Sequence, residues 1–280
     1  MPDVRLNQGT IRYRAVGPDA PGTPTVVFVH GLLVDGRLWD GVADRLAAQG
    51  VRCIQPNLPL GAHELPMDPG TDFSFPAMAK LVNEFIDALK LSDVTLVGND
   101  SGGAICQFLI DTDHSRIGRL VLTNCDAYTN FPPYPFNVLV KVARHQAAIG
   151  PLMASMRSKR LRHSDLGVGL LANHLDDDLV VSWMQPTMSG DKAIRRDTAL
   201  FCAEFDPAEL DAVSTRLGRF DKPVKIIWGQ ADRCFKPEYG RRLAKVFPNA
   251  SLTEVPNAKT FVALDNPGAV ADGIMELVSV

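Results

Sequence analysis

The chain has 280 residues, 46% of them hydrophobic and 22% charged, with 29 Lys and Arg against 32 Asp and Glu for a formal net charge of −3. That composition supplies ample apolar material for a core and excludes disorder, collagen and coiled coil. A slightly acidic chain without a long basic run lacks the positive field that phosphate backbones select, so nucleic acid is not an expected partner.

The first residues, MPDVRLNQGTIRYR, hold no apolar stretch of signal-peptide length. No later segment approaches the roughly 18 apolar residues of a membrane span, so a cytoplasmic chain with no membrane partner is expected. Val4 to Leu6 and Thr10 to Ala15 alternate around Asn7-Gln8-Gly9, whose Asn and Gly suit a tight turn, and predict an opening hairpin. Thr25 to Val29 is a continuous β-branched and aromatic run, as expected of a strand covered on both faces, and similar runs recur at Val51 to Ile54, Val94 to Val97, Leu120 to Thr123 and Val224 to Trp228. Between them lie helical periods such as Met78, Leu81, Val82, Phe85, Ile86 and Leu89, behind a capping Ser74. Strands alternating with helices predict a mostly parallel central sheet with helices on both faces.

The alternation stops after Asn124 and resumes at Lys222; the residues between have helical patterns and no convincing strand. A structureless loop of that length is implausible, so residues 127–219 are expected to form a helical cap inserted over the carboxyl ends of the strands, with residues 1–126 and 220–280 as the core. Phe131, Phe136, Leu139, Val140, Leu152 and Met153 would line an apolar pocket beneath it. Asp176-Asp177-Asp178 reads as a solvated turn or a helix start. Cys53, Cys106, Cys125, Cys202 and Cys234 are odd in number, scattered and without zinc-ligand spacing, so reduced, mostly buried thiols are expected, with no metal and no cofactor.

The segment Val94 to Ala104 runs a strand directly into a helix through Gly98-Asn99-Asp100-Ser101-Gly102. It resembles the nucleophile elbow of the α/β-hydrolase fold, small-x-nucleophile-x-small, whose glycines allow a turn sharp enough to expose the central side chain. In that frame the nucleophile position holds Asp100; a frame centred on Ser101, with Asn99 and Gly103 as shoulders, fits less well. A Gly-rich turn without chemistry is the bland alternative.

The resemblance extends over nearly the whole chain. Val26 to Gly31 looks like the family's strand ending in His-Gly, which maps the oxyanion-hole N–H groups onto Leu32 and Ser101 and makes His30 a turn residue rather than a base. Ile226 to Arg233 resembles the late strand and acid loop, mapping Asp232 onto the triad acid. Asp126 stands at the alternative acid position used in part of the haloalkane dehalogenase branch, although a strand-end carboxylate can equally be structural. Aligning Phe261 and Asn266-Pro267 with the family places Thr260 where its His would stand, and no His follows His174. The halide-binding Trp and Asn of dehalogenases are replaced by Ser101 and Leu32, and the Pro of epoxide hydrolases by Leu33; Tyr128 and Tyr134 stand at the cap's entrance. Lys259, His145 and His174 are the remaining groups that could stand in for a base.

An ionised Asp attacks an alkyl halide or epoxide carbon unaided, but hydrolysing the resulting ester needs a base that Thr cannot supply. The resemblance therefore implies a dehalogenase-like or epoxide-hydrolase-like enzyme acting on a small, largely apolar substrate, with turnover in question. A non-hydrolytic isomerase or lyase using Asp100 as general base, and a silent small-molecule binder, are the alternatives. The sequence leaves homo-oligomerisation open.

Overall fold

The computed structural model describes residues 1–189 and 191–278. The opening hairpin forms as expected from β1 (Asp3–Leu6) and β2 (Gly9–Val16), paired Leu6 to Gly9. Then come β3 (Thr25–Val29), a 3-10 turn, α1 (Asp40–Ala47), β4 (Arg52–Pro56), α2 (Phe75–Ala88), β5 (Val94–Asp100), α3 (Ser101–Thr112) and β6 (Ile117–Cys125). The Ser74 side chain accepts the Ala77 N–H at the start of α2, the capping role read from the sequence.

Between β6 and the next strand lie six helices: α4 (Phe136–Ala143), α5 (Gln146–Ser155), α6 (Lys159–Arg162), α7 (Asp177–Met188), α8 (Lys192–Ala203) and α9 (Pro207–Ser214). Asp176 caps α7, accepting from the N–H groups of Asp178 and Leu179. The core resumes with β7 (Val224–Gly229), α10 (Pro237–Val246), β8 (Ala250–Val255), α11 (Val262–Asp265) and α12 (Pro267–Val278). No strand is read over β8 in the sequence. It is an edge strand carrying Ser251, Thr253 and Glu254 and only partly buried, so it lacks the continuous apolar run that marks the inner strands.

The eight strands form one sheet in the order β1-β2-β4-β3-β5-β6-β7-β8, antiparallel at β1, β2 and β4 and parallel from β4 to β8. From β3 the chain first moves outward to β4 and later returns to β5 on the other side. Right-handed crossovers in opposite directions put α1 on one face and α2 and α3 on the other. Accordingly α1 packs on α12, and α2 on α3. The carboxyl ends of β3 and β5 then lie side by side where the direction reverses, the place where sheets of this kind bind ligands.

Side-chain and backbone hydrogen bonds hold the helical insert on the core. Trp183 Nε1 donates to the buried Asp35 at 3.0 Å, Met67 N to Asp197 at 2.8 Å, and Phe261 N to Leu171 O at 2.8 Å. All five cysteines are buried and unpaired, and no helix among the described residues is long and apolar enough to cross a membrane.

Candidate active site

The turn from β5 to α3 is set by its apex. Asp100 has φ 53° and ψ −133°, a region an L-residue occupies only when its surroundings compel it, whereas Ser101 already begins the helix. The geometry therefore centres the turn on Asp100 and not on Ser101. Close packing explains the neighbouring glycines: a Cβ on Gly102 would stand 2.4 Å from Val29 O, and one on Gly31 would stand 2.2 Å from Asp100 Oδ2. The end of β3 and the turn after β5 are thus pressed together, with the Asp100 carboxyl against the backbone of Gly31.

Asp100 and Ser101 belong to the wall of a cavity of about 820 Å³, open mouth included. Its other walls are apolar: Leu32, Leu33 and Val34 from the core, and Phe136, Leu139, Val140, Leu152 and Met153 among those of the insert. Phe131, expected there, instead packs edge-on against Phe75 at 4.6 Å between ring centroids and against Phe205 at 5.0 Å. Among the described residues, Asp100 is the one ionisable side chain in the wall. Burial pushes its pKa up to about 7; the Ser101 N–H opposes this, the charge of Asp232 adds to it, and the Leu32 N–H opposes it. The two N–H groups expected to serve an oxyanion thus both face the same carboxyl.

Behind that wall Asp232 is buried and held by four donors. Cys234 N and Phe235 N reach Oδ1 at 2.7 and 3.0 Å, and Asn124 Nδ2 and Thr260 Oγ1 reach Oδ2 at 2.8 and 2.9 Å. Burial raises its pKa to about 6 against the pull of these bonds. Thr260 is completely buried, its carbonyl accepting from Asn99 Nδ2 at 2.8 Å. Neither Asp232 nor Thr260 reaches the cavity wall; the next residue, Phe261, does.

The remaining candidates sit elsewhere. His30 lies outside the cavity wall. Its Nε2 accepts the Leu58 N–H at 2.8 Å and its Nδ1 donates to Gly31 O at 2.9 Å, and burial lowers its pKa to about 4, so it is a neutral brace for the turn. Asp126 is wholly buried beside Asp100 and outside the wall, with no imidazole to orient. Lys259 donates through Nζ to Gly169 O at 2.9 Å, which fastens the insert, and it is not part of the cavity wall. His145 is exposed at the start of α5, and His174 is exposed against Asp265. Tyr128 is buried under Arg242 and Tyr134 is 76% exposed; neither lines the cavity. The aromatic cluster of Phe75, Phe131, Phe201 and Phe205 escaped the sequence reading because its members come from three separate segments, with Phe201 and Phe205 together at the end of α8.

Comparison with known proteins agrees with this architecture. A family described as the alpha/beta hydrolase fold matches residues 24–267. Haloalkane dehalogenase 2 of Mycobacterium tuberculosis (strain ATCC 25618 / H37Rv) is 26% identical over 286 aligned positions, covering 96% of this chain and 92% of the relative. Among solved structures, an alpha/beta hydrolase fold protein from Burkholderia ambifaria superposes with a TM-score of 0.81 at 25% identity, covering 98% of this chain and 97% of that one. A ligand-free epoxide hydrolase superposes with a TM-score of 0.78 at 18% identity, covering 99% and 97%.

Proposed function

The chain belongs to the alpha/beta hydrolase fold family, and from that premise we propose that it acts on a small, largely apolar molecule with Asp100 as nucleophile, in the manner of a dehalogenase or epoxide hydrolase. One observation carries this reading. Among the described residues, the only ionisable side chain in the wall of an apolar cavity is a carboxyl at the apex of a strained turn, faced by the N–H groups of Leu32 and Ser101. In its ionised form Asp100 forms a C–O bond to the substrate carbon. The electron pair of the breaking bond leaves with the halide or stays on the epoxide oxygen.

Release of the product is the weaker half. Water must attack the ester carbonyl with a base to take its proton; Thr260 has no basic group, and no other base lines the cavity among the described residues. The ester should therefore outlive its formation. Intact mass after incubation with a bromoalkane or styrene oxide tests the reading. The expected result is one added alkyl or hydroxyalkyl group that is absent from Asp100→Asn. Neither adduct nor turnover with either class of electrophile would overturn it.

A second reading is favoured by the pKa of Asp100, raised to about 7. A general base works best when its pKa lies near the working pH, and proton transfer to or from carbon needs no activated water. On this reading Asp100 serves an isomerase or lyase step. Deuterium incorporated from solvent into a recovered carbonyl compound, without any protein adduct, would select it over the first.

A further inference from the structure

The cavity reaches the surface at the helical insert. Leu166 belongs to its wall and is nevertheless 78% exposed, so it marks the mouth. The helix α4, which also contributes to the wall, is apolar on two sides. Phe136, Leu139 and Val140 line the cavity, whereas Val138 and Val142, four residues apart and so on one face, stand exposed, with Tyr134 exposed just ahead of them. A helix with apolar residues on both sides calls for a cover on both, and only the inner one has the protein for it.

Charge is segregated in the same stretch. Residues 134–166 hold six of the 29 Lys and Arg but one of the 32 Asp and Glu. Lys141, Arg144, Arg157, Lys159 and Arg160 are exposed; among the described residues only Lys159 of these lies near a carboxylate, 3.7 Å from Asp177. The single acid, Asp165, is held by Arg233. Arg157, Lys159 and Arg160 follow Met156 and precede Leu166, both in the wall, so cations and mouth share one short stretch of chain.

We propose that this face docks on an anionic lipid bilayer, with the exposed side chains of α4 and Leu166 entering the boundary of the acyl region and the cations lying over the headgroups. The cavity then opens toward molecules dissolved in the membrane. Such a surface is held by apolar burial together with attraction to anionic lipid, and no helix has to cross the bilayer. The expectation of no membrane partner stands on spanning segments and whole-chain charge, and neither registers a patch that one part of the fold presents. A second copy of this chain suits the face less well, because two-fold pairing would set these cations against their twins. The inference deepens the proposed function, since a bilayer concentrates small apolar molecules, and it rests on that reading only for what enters the cavity; docking needs no chemistry at Asp100.

Co-sedimentation of the full chain with vesicles tests it, using phosphatidylcholine alone and phosphatidylcholine mixed with phosphatidylserine. The wild type should bind the mixed vesicles, far less the neutral ones, and less again as salt is added. Each Lys or Arg close to an anionic surface strengthens binding about fivefold, so the triple variant Arg157→Gln, Lys159→Gln, Arg160→Gln should bind about 100-fold more weakly. Arg45→Gln, Lys80→Gln, Lys245→Gln removes the same charge from exposed positions on α1, α2 and α10 and should bind as the wild type does. The double variant Val138→Ser, Val142→Ser should lose about tenfold through apolar contact alone. A wild type that ignores the mixed vesicles, or equal weakening by the two triple variants, overturns the docking. So does a dimer in vesicle-free solution that the double variant dissociates, which would put a second copy on this face. Binding is read without any reaction: mixed vesicles bound by a chain whose Asp100 takes no label uphold the docking and sink only the nucleophilic reading, and label without vesicle binding does the reverse.

Discussion

Two loops meet at the carboxyl end of the sheet and have been treated very differently. At the end of β5 the chain is strained, glycines admit close backbone contact, and Asp100 turns into an apolar cavity with its pKa raised to about 7. Beyond β8, where the family resemblance expects a His, Thr260 is buried and spends its hydroxyl on Asp232, which three further donors also hold. The first loop turns its carboxyl to the cavity, faced by the N–H groups of Leu32 and Ser101. In the second, every strong polar contact is closed on the protein itself. The difference teaches that a buried acid can be fully hydrogen-bonded by a hydroxyl that offers no base; on the proposed reading, this is how the frame of a triad would persist without its proton carrier.

The largest effect should come from the first loop. Asp100→Asn should abolish labelling by haloalkanes and epoxides, since an amide neither attacks carbon nor forms the ester; adducts persisting in the variant would move the chemistry to another residue. The same substitution has a signature in stability. An unfolded Asp ionises near 3.8, but folded Asp100 holds its proton up to about 7, so between those values the folded state binds more protons and the wild type loses stability as pH rises, completely so above about 7. The Tm of Asp100→Asn relative to wild type should therefore be smallest at pH 4 and grow to a plateau by pH 8. A difference that shrinks over that range would mean the carboxyl is not held protonated by burial.

Next in size is Thr260→His. An imidazole there would meet Asp232 in place of the hydroxyl bond of 2.9 Å and supply the base that release requires, so loss of the label from Asp100 should accelerate by about 100- to 10,000-fold over wild type. Overpacking a fully buried site should cost about 1–3 kcal/mol. A folded variant that labels normally yet releases nothing would show that the wall separating this loop from the cavity, and not the residue type alone, prevents hydrolysis.

The sequence made the first loop legible and the second only half so. Gly98, Asp100 and Gly102 between a β-branched strand and a helix are a local pattern, and local backbone strain follows from local residues. That Thr260 lies against Asp232 was also expected, from its place before Phe261 and Asn266-Pro267. What the sequence could not carry was which of these groups reaches the cavity: Asp100 does, whereas Asp232, Asp126 and Thr260 do not. Exposure to a cavity depends on how the insert packs. The segment contributing Phe136 and Leu139 to the wall differs little in composition from the one that sends Phe131 into an aromatic cluster. Lys259 was unreadable for the same reason, its partner being a carbonyl far away in the insert.

A smaller effect would sharpen the contrast from the structural side. Thr260→Val keeps the shape and removes the hydroxyl that serves Asp232, so about 1.5–3 kcal/mol of stability should be lost, visible as a lower denaturant midpoint with unchanged slope. Labelling of Asp100 should change far less than it does in Asp100→Asn, because Thr260 is absent from the cavity wall. A loss of labelling as large as that of Asp100→Asn would mean that the two loops act as one unit.

The smallest effect expected is from His145→Ala and His174→Gln, and its smallness is what matters. If any imidazole substitutes for the missing base it must be one of these two or His163, since His30 and His63 are buried outside the cavity wall and His114 donates through Nδ1 to Ile110 O at the end of α3 remote from Asp100. His145 is exposed at the start of α5, His174 is exposed against Asp265, and His163 is 2.7 Å from Asp177. None belongs to the cavity wall. Release of an alkyl label from Asp100 should therefore stay within about twofold of wild type in both variants, since surface changes away from a site leave its energetics nearly untouched. A fall of about tenfold or more, the least that loss of general-base assistance would produce, would put the base in the insert and close the gap between the two loops from above.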